Sequence, residues 1–263
     1  MDRINTRSVR ITLKILIVLF VIVGVIYQNL VGYFAGRGFS SYLYFTTQSN
    51  IIIGALAMAL LVYDLKRRQT PKALVAFHHI AISAIMLTFI VFALFLGPLV
   101  PDASYFYSPS NLTLHNLVPI LAFFNYLLEE DEMPPRYVRY LALISGVSYM
   151  IATYIFYFSG ASFGQNEFPY FFLNFKTNGW LTIDFVNWRF GIIYWWVVIV
   201  LVLLGISVAT YEIKAKCKKN QRIAWKIFIF LLSLATIFIL MSVIIKLSMG
   251  VALHETSIKV LIR

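Results

Sequence analysis

Two short polar segments interrupt long apolar sequence, and both carry residue types that can do chemistry. The first reads Phe45-Thr46-Thr47-Gln48-Ser49-Asn50. At helical spacing Thr46, Ser49 and Asn50 share a face, because positions i, i+3 and i+4 are neighbours. The second reads Asn111-Leu112-Thr113-Leu114-His115-Asn116-Leu117-Val118-Pro119. Pro119 has no N–H to offer the carbonyl of His115, so the helix is expected to kink or open where the histidine sits. A threonine hydroxyl is too weakly acidic to attack an acyl carbon unaided, and an adjacent imidazole that accepts its proton makes it a nucleophile. Thr46 and His115 are therefore a candidate nucleophile and base. Ser49, Asn50 and Asn116 are candidate hydrogen-bond donors to an oxyanion, with Gln48 in the same polar cluster. The competing reading is that all of these groups glue membrane helices together.

Other polar residues give weaker signals. His78 and His79 read as interhelical contacts. Asn125 reads as a bond to a neighbouring helix. Tyr149, Thr153 and Tyr157 form an i, i+4, i+8 stripe that packs or lines a cavity. Arg189 is expected to open the sixth helix at the surface, where it anchors the helix or holds a lipid carboxylate. One cysteine, Cys217, excludes an internal disulfide. Four histidines (His78, His79, His115, His254) are too few and too scattered for a metal-dependent membrane hydrolase, so neither a metal nor another cofactor is expected. A retinal protein needs a lysine in the middle of its last helix, whereas Lys226 and Lys246 lie at the ends of that run.

The elements that must position these groups follow from composition. Of 263 residues, 60% are hydrophobic, against roughly 45–50% in soluble domains, and 13% are charged. Mean hydropathy is +0.81. About 20 mostly apolar residues make a membrane-spanning helix. Seven such runs lie near 11–34, 42–63, 73–97, 112–129, 137–159, 190–211 and 223–246. The fourth is the shortest and most polar. It is bounded by Gly97-Pro98-Leu99-Val100-Pro101-Asp102 before and by Glu129-Glu130-Asp131-Glu132-Met133-Pro134-Pro135 after. The first run is about twice too long for a signal peptide and lacks a small-residue cleavage site.

The net charge of +11 would suggest nucleic acid in a soluble chain. Here 16 of the 22 basic residues fall on one side when the spans alternate, including Arg10, Lys14, Arg67, Arg68 and a run from Lys214 to Lys226. That bias predicts an N-in/C-out all-α bundle with no nucleic-acid partner. Binding of anionic lipid head groups to the same clusters is a lesser alternative. Residues 213–222 are expected as a basic inner loop. In this topology the second and fourth helices run the same way. Thr46 and His115 each sit about four residues past the start of their helix, roughly 6 Å deep, so the two can meet. The long connection 160–189 is rich in aromatics, which suits the head-group level on the outer side.

The segments Phe45-Thr46-Thr47-Gln48-Ser49-Asn50, Leu114-His115-Asn116-Leu117-Val118-Pro119 and Phe168-Pro169-Tyr170-Phe171-Phe172-Leu173-Asn174 resemble, in that order, the androgen-induced-gene family of multi-pass membrane proteins. They look closer still to its bacterial branch of six-helix proteins. The resemblance covers roughly residues 10–212 and leaves the seventh helix outside. It implies a six-helix core in a bacterial plasma membrane. The animal members hydrolyse fatty-acid esters of hydroxy fatty acids with a membrane-embedded threonine and a histidine, which correspond to Thr46 and His115. The chain departs from the animal pattern at Asn174, at Asn125 and in the spacing of Pro119 from His115. The expected partner is accordingly a membrane lipid or fatty-acid ester. A non-enzymatic protein that binds a lipid or small molecule in the same cavity is the alternative. Transport is disfavoured by the absence of internal repeats.

Overall fold

The computed structural model describes residues 6–261, apart from 33, 101–102, 165 and 187–188. Arg3 and Arg263 of the charge argument, and the side chain of His254, lie outside the described residues. Seven helices are long and apolar enough to cross a membrane. They are α1 (Thr6–Leu30), α2 (Phe45–Leu65), α3 (Lys72–Leu96), α4 (Pro109–Leu128), α5 (Val138–Phe158), α6 (Ile192–Lys219) and α7 (Arg222–Leu261). The chain is a polytopic membrane helix bundle.

The fourth and seventh spans are opposites in hydropathy and burial. The fourth span has the lowest mean hydropathy, 1.2, and 89% of its window is buried among the other helices. The seventh has the highest, 2.9, with 6% buried. A helix wrapped in protein can carry Asn, Thr and His because its neighbours satisfy them; one facing lipid cannot. The polar character of residues 112–129 thus marks the centre of the bundle. Helix α7 packs on the outside of α4, where Phe228 stacks on Phe124 at 4.2 Å and Trp225 meets the same ring at 4.8 Å.

Several boundaries differ from expectation. Helix α2 begins at Phe45 and α4 at Pro109, so Thr46 is the second residue of its helix and His115 the seventh of its own, not each about four residues in. Helix α7 continues to Leu261 rather than ending near 246. Helix α1 ends at Leu30 rather than near 34, and the turn into α2 uses Gly36 and Gly38 at positive φ, which other residues adopt at a cost. Helix α6 continues to Lys219, so the expected inner loop shrinks to a turn around Asn220 and Gln221. The extension is held by Lys214, which is buried on α4. Its amine donates to the carbonyls of Tyr126 (2.6 Å) and Glu129 (3.4 Å) at the end of α4.

The end of the bundle that carries most of the arginines and lysines is knitted by a buried ionic cluster. Lys14, 1% exposed, bridges Asp64 at the end of α2 and Glu129 at the end of α4. Arg10, one turn earlier, meets Asp64 (3.5 Å), Glu129 (3.6 Å) and Glu130 (2.9 Å). At the opposite end the aromatic connection folds into a short hairpin, β1 (Ile183–Asp184) and β2 (Arg189–Phe190), paired antiparallel with Asp184 opposite Arg189. Arg189 therefore lies in this hairpin, exposed, and does not begin a helix.

Candidate functional site

The first turn of α2 presents its two threonines to different neighbours. Thr47 accepts a hydrogen bond from Gln28 Nε2 of α1 (2.8 Å). Thr46 faces the other way, toward the segment after α5. Its hydroxyl lies 3.4 Å from the Tyr170 hydroxyl, and its N–H donates to the same oxygen at 3.3 Å. Tyr170 is half-buried, and loss of water around its hydroxyl raises that group above the ordinary value of 10.0 and keeps it a proton donor.

These two hydroxyls line a narrow cavity of about 40 Å³, room for a few waters. Thr88 of α3 adds a third hydroxyl to the wall, and the rest includes Leu87, Val91, Met150, Phe172 and Ile199. Tyr149 belongs to this wall and donates to the carbonyl of Leu43 (3.1 Å). Thr153, its stripe partner, is buried behind it and donates to the Tyr149 carbonyl (3.0 Å). Tyr157 stacks on Phe168 at 4.4 Å instead.

The proposed oxyanion donors are occupied elsewhere. Ser49 Oγ lies 3.1 Å from the Thr46 carbonyl and 2.9 Å from Thr88 Oγ1. Asn50 spends its amide on the carbonyls of Thr46 (2.8 Å) and Leu114 (3.0 Å). Asn116 donates to the carbonyl of Asn111 at 3.1 Å, and Gln48 to that of Tyr42 at 3.0 Å, away from the cavity.

The opening expected near Pro119 takes a specific form. Residues Leu112–Leu117 make a π-helical turn, and the N–H of Val118 donates to the carbonyl of Thr113, five residues back. In that register the next donor, to Leu114, would be residue 119, and proline has none. Asn50 supplies it. A second π-helical turn closes α3 at Phe92–Leu96, and the two wide turns meet where Phe92 stacks on the His115 ring at 4.0 Å. The histidine is buried. Its Nδ1 has no hydrogen-bond partner among the described residues.

Thr46 and His115 are thus brought to adjoining helices and joined through Asn50, yet no hydrogen bond links their side chains. His115 does not line the cavity that Thr46 lines. His79 is fully engaged, its ring nitrogens lying 2.8 Å from the Tyr126 hydroxyl and 2.9 Å from that of Ser207, which makes it the interhelical contact expected. His78 packs edge-on against Tyr126. Asn125 differs from expectation, bonding Glu129 at the end of its own helix (3.2 Å). Sequence reasoning missed Tyr170 and Thr88. A hydroxyl in the middle of the apolar run 73–97 was a signal for Thr88; Tyr170 lay within the Phe168–Asn174 segment among eight other aromatics of the connection, with no spacing that pointed it at Thr46. Comparison of the chain with protein-family models, with curated proteins and with solved structures gives no match.

Proposed function

We propose that this membrane protein holds a lipid acyl group, or an apolar molecule with one polar end, against the Thr46–Tyr170 hydroxyl pair. The observation that carries this reading is the pair itself, two hydroxyls 3.4 Å apart on a largely apolar wall. Ligand sites combine such a wall with a few convergent polar groups. The free volume is small, so a chain enters by displacing part of the wall. The segment around Tyr170 and Phe172 is the part that belongs to no membrane-spanning helix. In this reading the cavity faces the outer leaflet with the N-terminus inside, which the bias of lysine and arginine supports.

Ester hydrolysis is the second reading, favoured by the buried, unpartnered Nδ1 of His115 and by the resemblance to threonine-dependent lipid hydrolases. In it, Thr46 Oγ turns from Tyr170, gives its proton to His115 and attacks the ester carbonyl. The histidine passes that proton to the departing alkoxide, and water then cleaves the acyl-threonine.

One experiment separates the two. The purified protein is treated with a fluorophosphonate probe and its retained lipids are identified by mass spectrometry, in wild type, Thr46→Ala, His115→Ala and Tyr170→Phe. Labelling lost in both Thr46→Ala and His115→Ala supports hydrolysis. Absence of labelling, with an acyl lipid retained by wild type and lost in Thr46→Ala and Tyr170→Phe, supports binding alone. A folded protein that neither labels nor retains lipid refutes both.

A further inference from the structure

The basic end of the bundle contains a much larger opening, a cleft of about 610 Å³, within the size range of small-molecule sites. Its floor is the buried ionic cluster, in which Arg10, Lys14, Asp64 and Glu129 compensate one another. Its two walls carry opposite charge. Arg67 and Arg68, from the turn between α2 and α3, and Arg7 of α1 contribute cations. Glu130, Asp131 and Glu132, from the connection between α4 and α5, contribute anions. Some of these charges are already engaged: Arg7 donates to the Asp64 carbonyl, Glu130 pairs with Arg10, and Glu132 lies 3.9 Å from Lys72. The side chains of Arg67, Arg68 and Asp131 make no hydrogen bond or ion pair among the described residues, while the Lys218 amine donates to the backbone carbonyl of Asp131 at 2.6 Å and leaves its carboxylate open.

A simple anion in this cleft would face the acidic wall, and a simple cation the basic one. A molecule carrying both charges a few ångströms apart complements both walls at once. Arginine pairs favour phosphate through their forked donors. The cleft also opens at the ends of membrane helices, the level at which lipid head groups lie. We infer that it binds a phosphate–ammonium zwitterion of the phosphoethanolamine class, with the phosphate on Arg67 and Arg68 and the ammonium on Asp131. The source is either the head group of a membrane lipid or the free phosphodiester.

The test uses the full-length protein in detergent. Binding of glycerophosphoethanolamine, inorganic phosphate and ethanolamine is measured by calorimetry. Retention of phosphatidylethanolamine against phosphatidylglycerol is measured by native mass spectrometry. The variants are Arg67→Gln with Arg68→Gln, and Asp131→Asn. The expected result is that the zwitterion binds at least about tenfold more tightly than phosphate or ethanolamine, and that each variant weakens it by a similar factor. Binding of the soluble compound assigns the free molecule or its head group. Selective retention of phosphatidylethanolamine without soluble binding assigns the intact lipid. Phosphate binding as tightly as the zwitterion, indifference to Asp131→Asn, or neither binding nor selective retention in folded protein would overturn the inference.

Discussion

The side-chain amide of Asn50 lies 3.0 Å from the carbonyl oxygen of Leu114, filling the place of the backbone N–H that Pro119 lacks. The same amide holds the carbonyl of Thr46 at 2.8 Å. One side chain therefore fixes the first turn of α2 and the wide turn of α4 against each other, and with them the two residues most able to do chemistry.

Replacing Asn50 by Leu leaves the Leu114 carbonyl buried and unpaired, at a cost of about 1–3 kcal/mol. Pro119→Ala restores a backbone donor at residue 119. The double variant Asn50→Leu/Pro119→Ala is therefore expected to recover part of the loss. Unfolding by SDS titration in mixed micelles measures all three; strictly additive effects would show that the two residues do not share this carbonyl.

Gly24 of α1 faces the same turn. A Cβ there would stand 2.3 Å from Thr113 Oγ1 and 2.6 Å from the Leu114 side chain. Gly24→Ala is expected to destabilise the protein by about 1–3 kcal/mol through overpacking. Gly205→Ala on α6, where a Cβ meets nothing within 4 Å, is the control and should leave the unfolding curve in place.

Much of the architecture was legible in the sequence because lipid imposes a length and a composition that soluble folds do not. All seven spans were read this way. The Thr46–Tyr170 contact was not, since it joins residues 124 apart and one of them lies in an aperiodic connection. Asn50 was legible as a polar residue facing inward. Its task was hidden, because an open carbonyl at Leu114 follows from a π-helical register that Pro119 alone does not dictate. Lys14 and Arg10 were counted as orientation signals, and counting cannot reveal that Asp64 and Glu129 converge on them.

Lys14→Met removes one of the two cations shared by Asp64 and Glu129, while Arg10 stays beside both carboxylates. The expected loss is about 1–3 kcal/mol, less than for a buried charge left with no partner at all. Adding Glu129→Gln to that variant neutralises the more buried carboxylate, leaves Arg10 with Asp64, and should recover part of the stability. Thermal denaturation in detergent distinguishes this from simple loss of packing, in which the added change would make matters worse.

Tyr170 gives a pH dependence with a definite sign. Its folded value is raised by burial, so the folded state keeps the proton that the unfolded state gives up. Its contribution is complete below the ordinary value of 10.0 and is lost as pH rises through the folded value. Stability should therefore be insensitive to this group between about pH 6 and 9 and decline beyond that range. Tyr170→Phe should remove part of the alkaline decline in a melting series. An identical decline in the variant would show that the hydroxyl is not held as described.

The contrast between α4 and α7 in hydropathy and burial has a consequence for biogenesis. A span as apolar as α7 can partition from the translocon into lipid by itself, whereas α4, with Asn111, Thr113, His115 and Asn116 near its start, cannot. Its entry depends on companions already present to accept those groups, Gly24 and Asn50 among the positions that receive it. The most central helix of the finished bundle is thus the one least able to insert alone, and membrane integration and tertiary folding become a single event at that step.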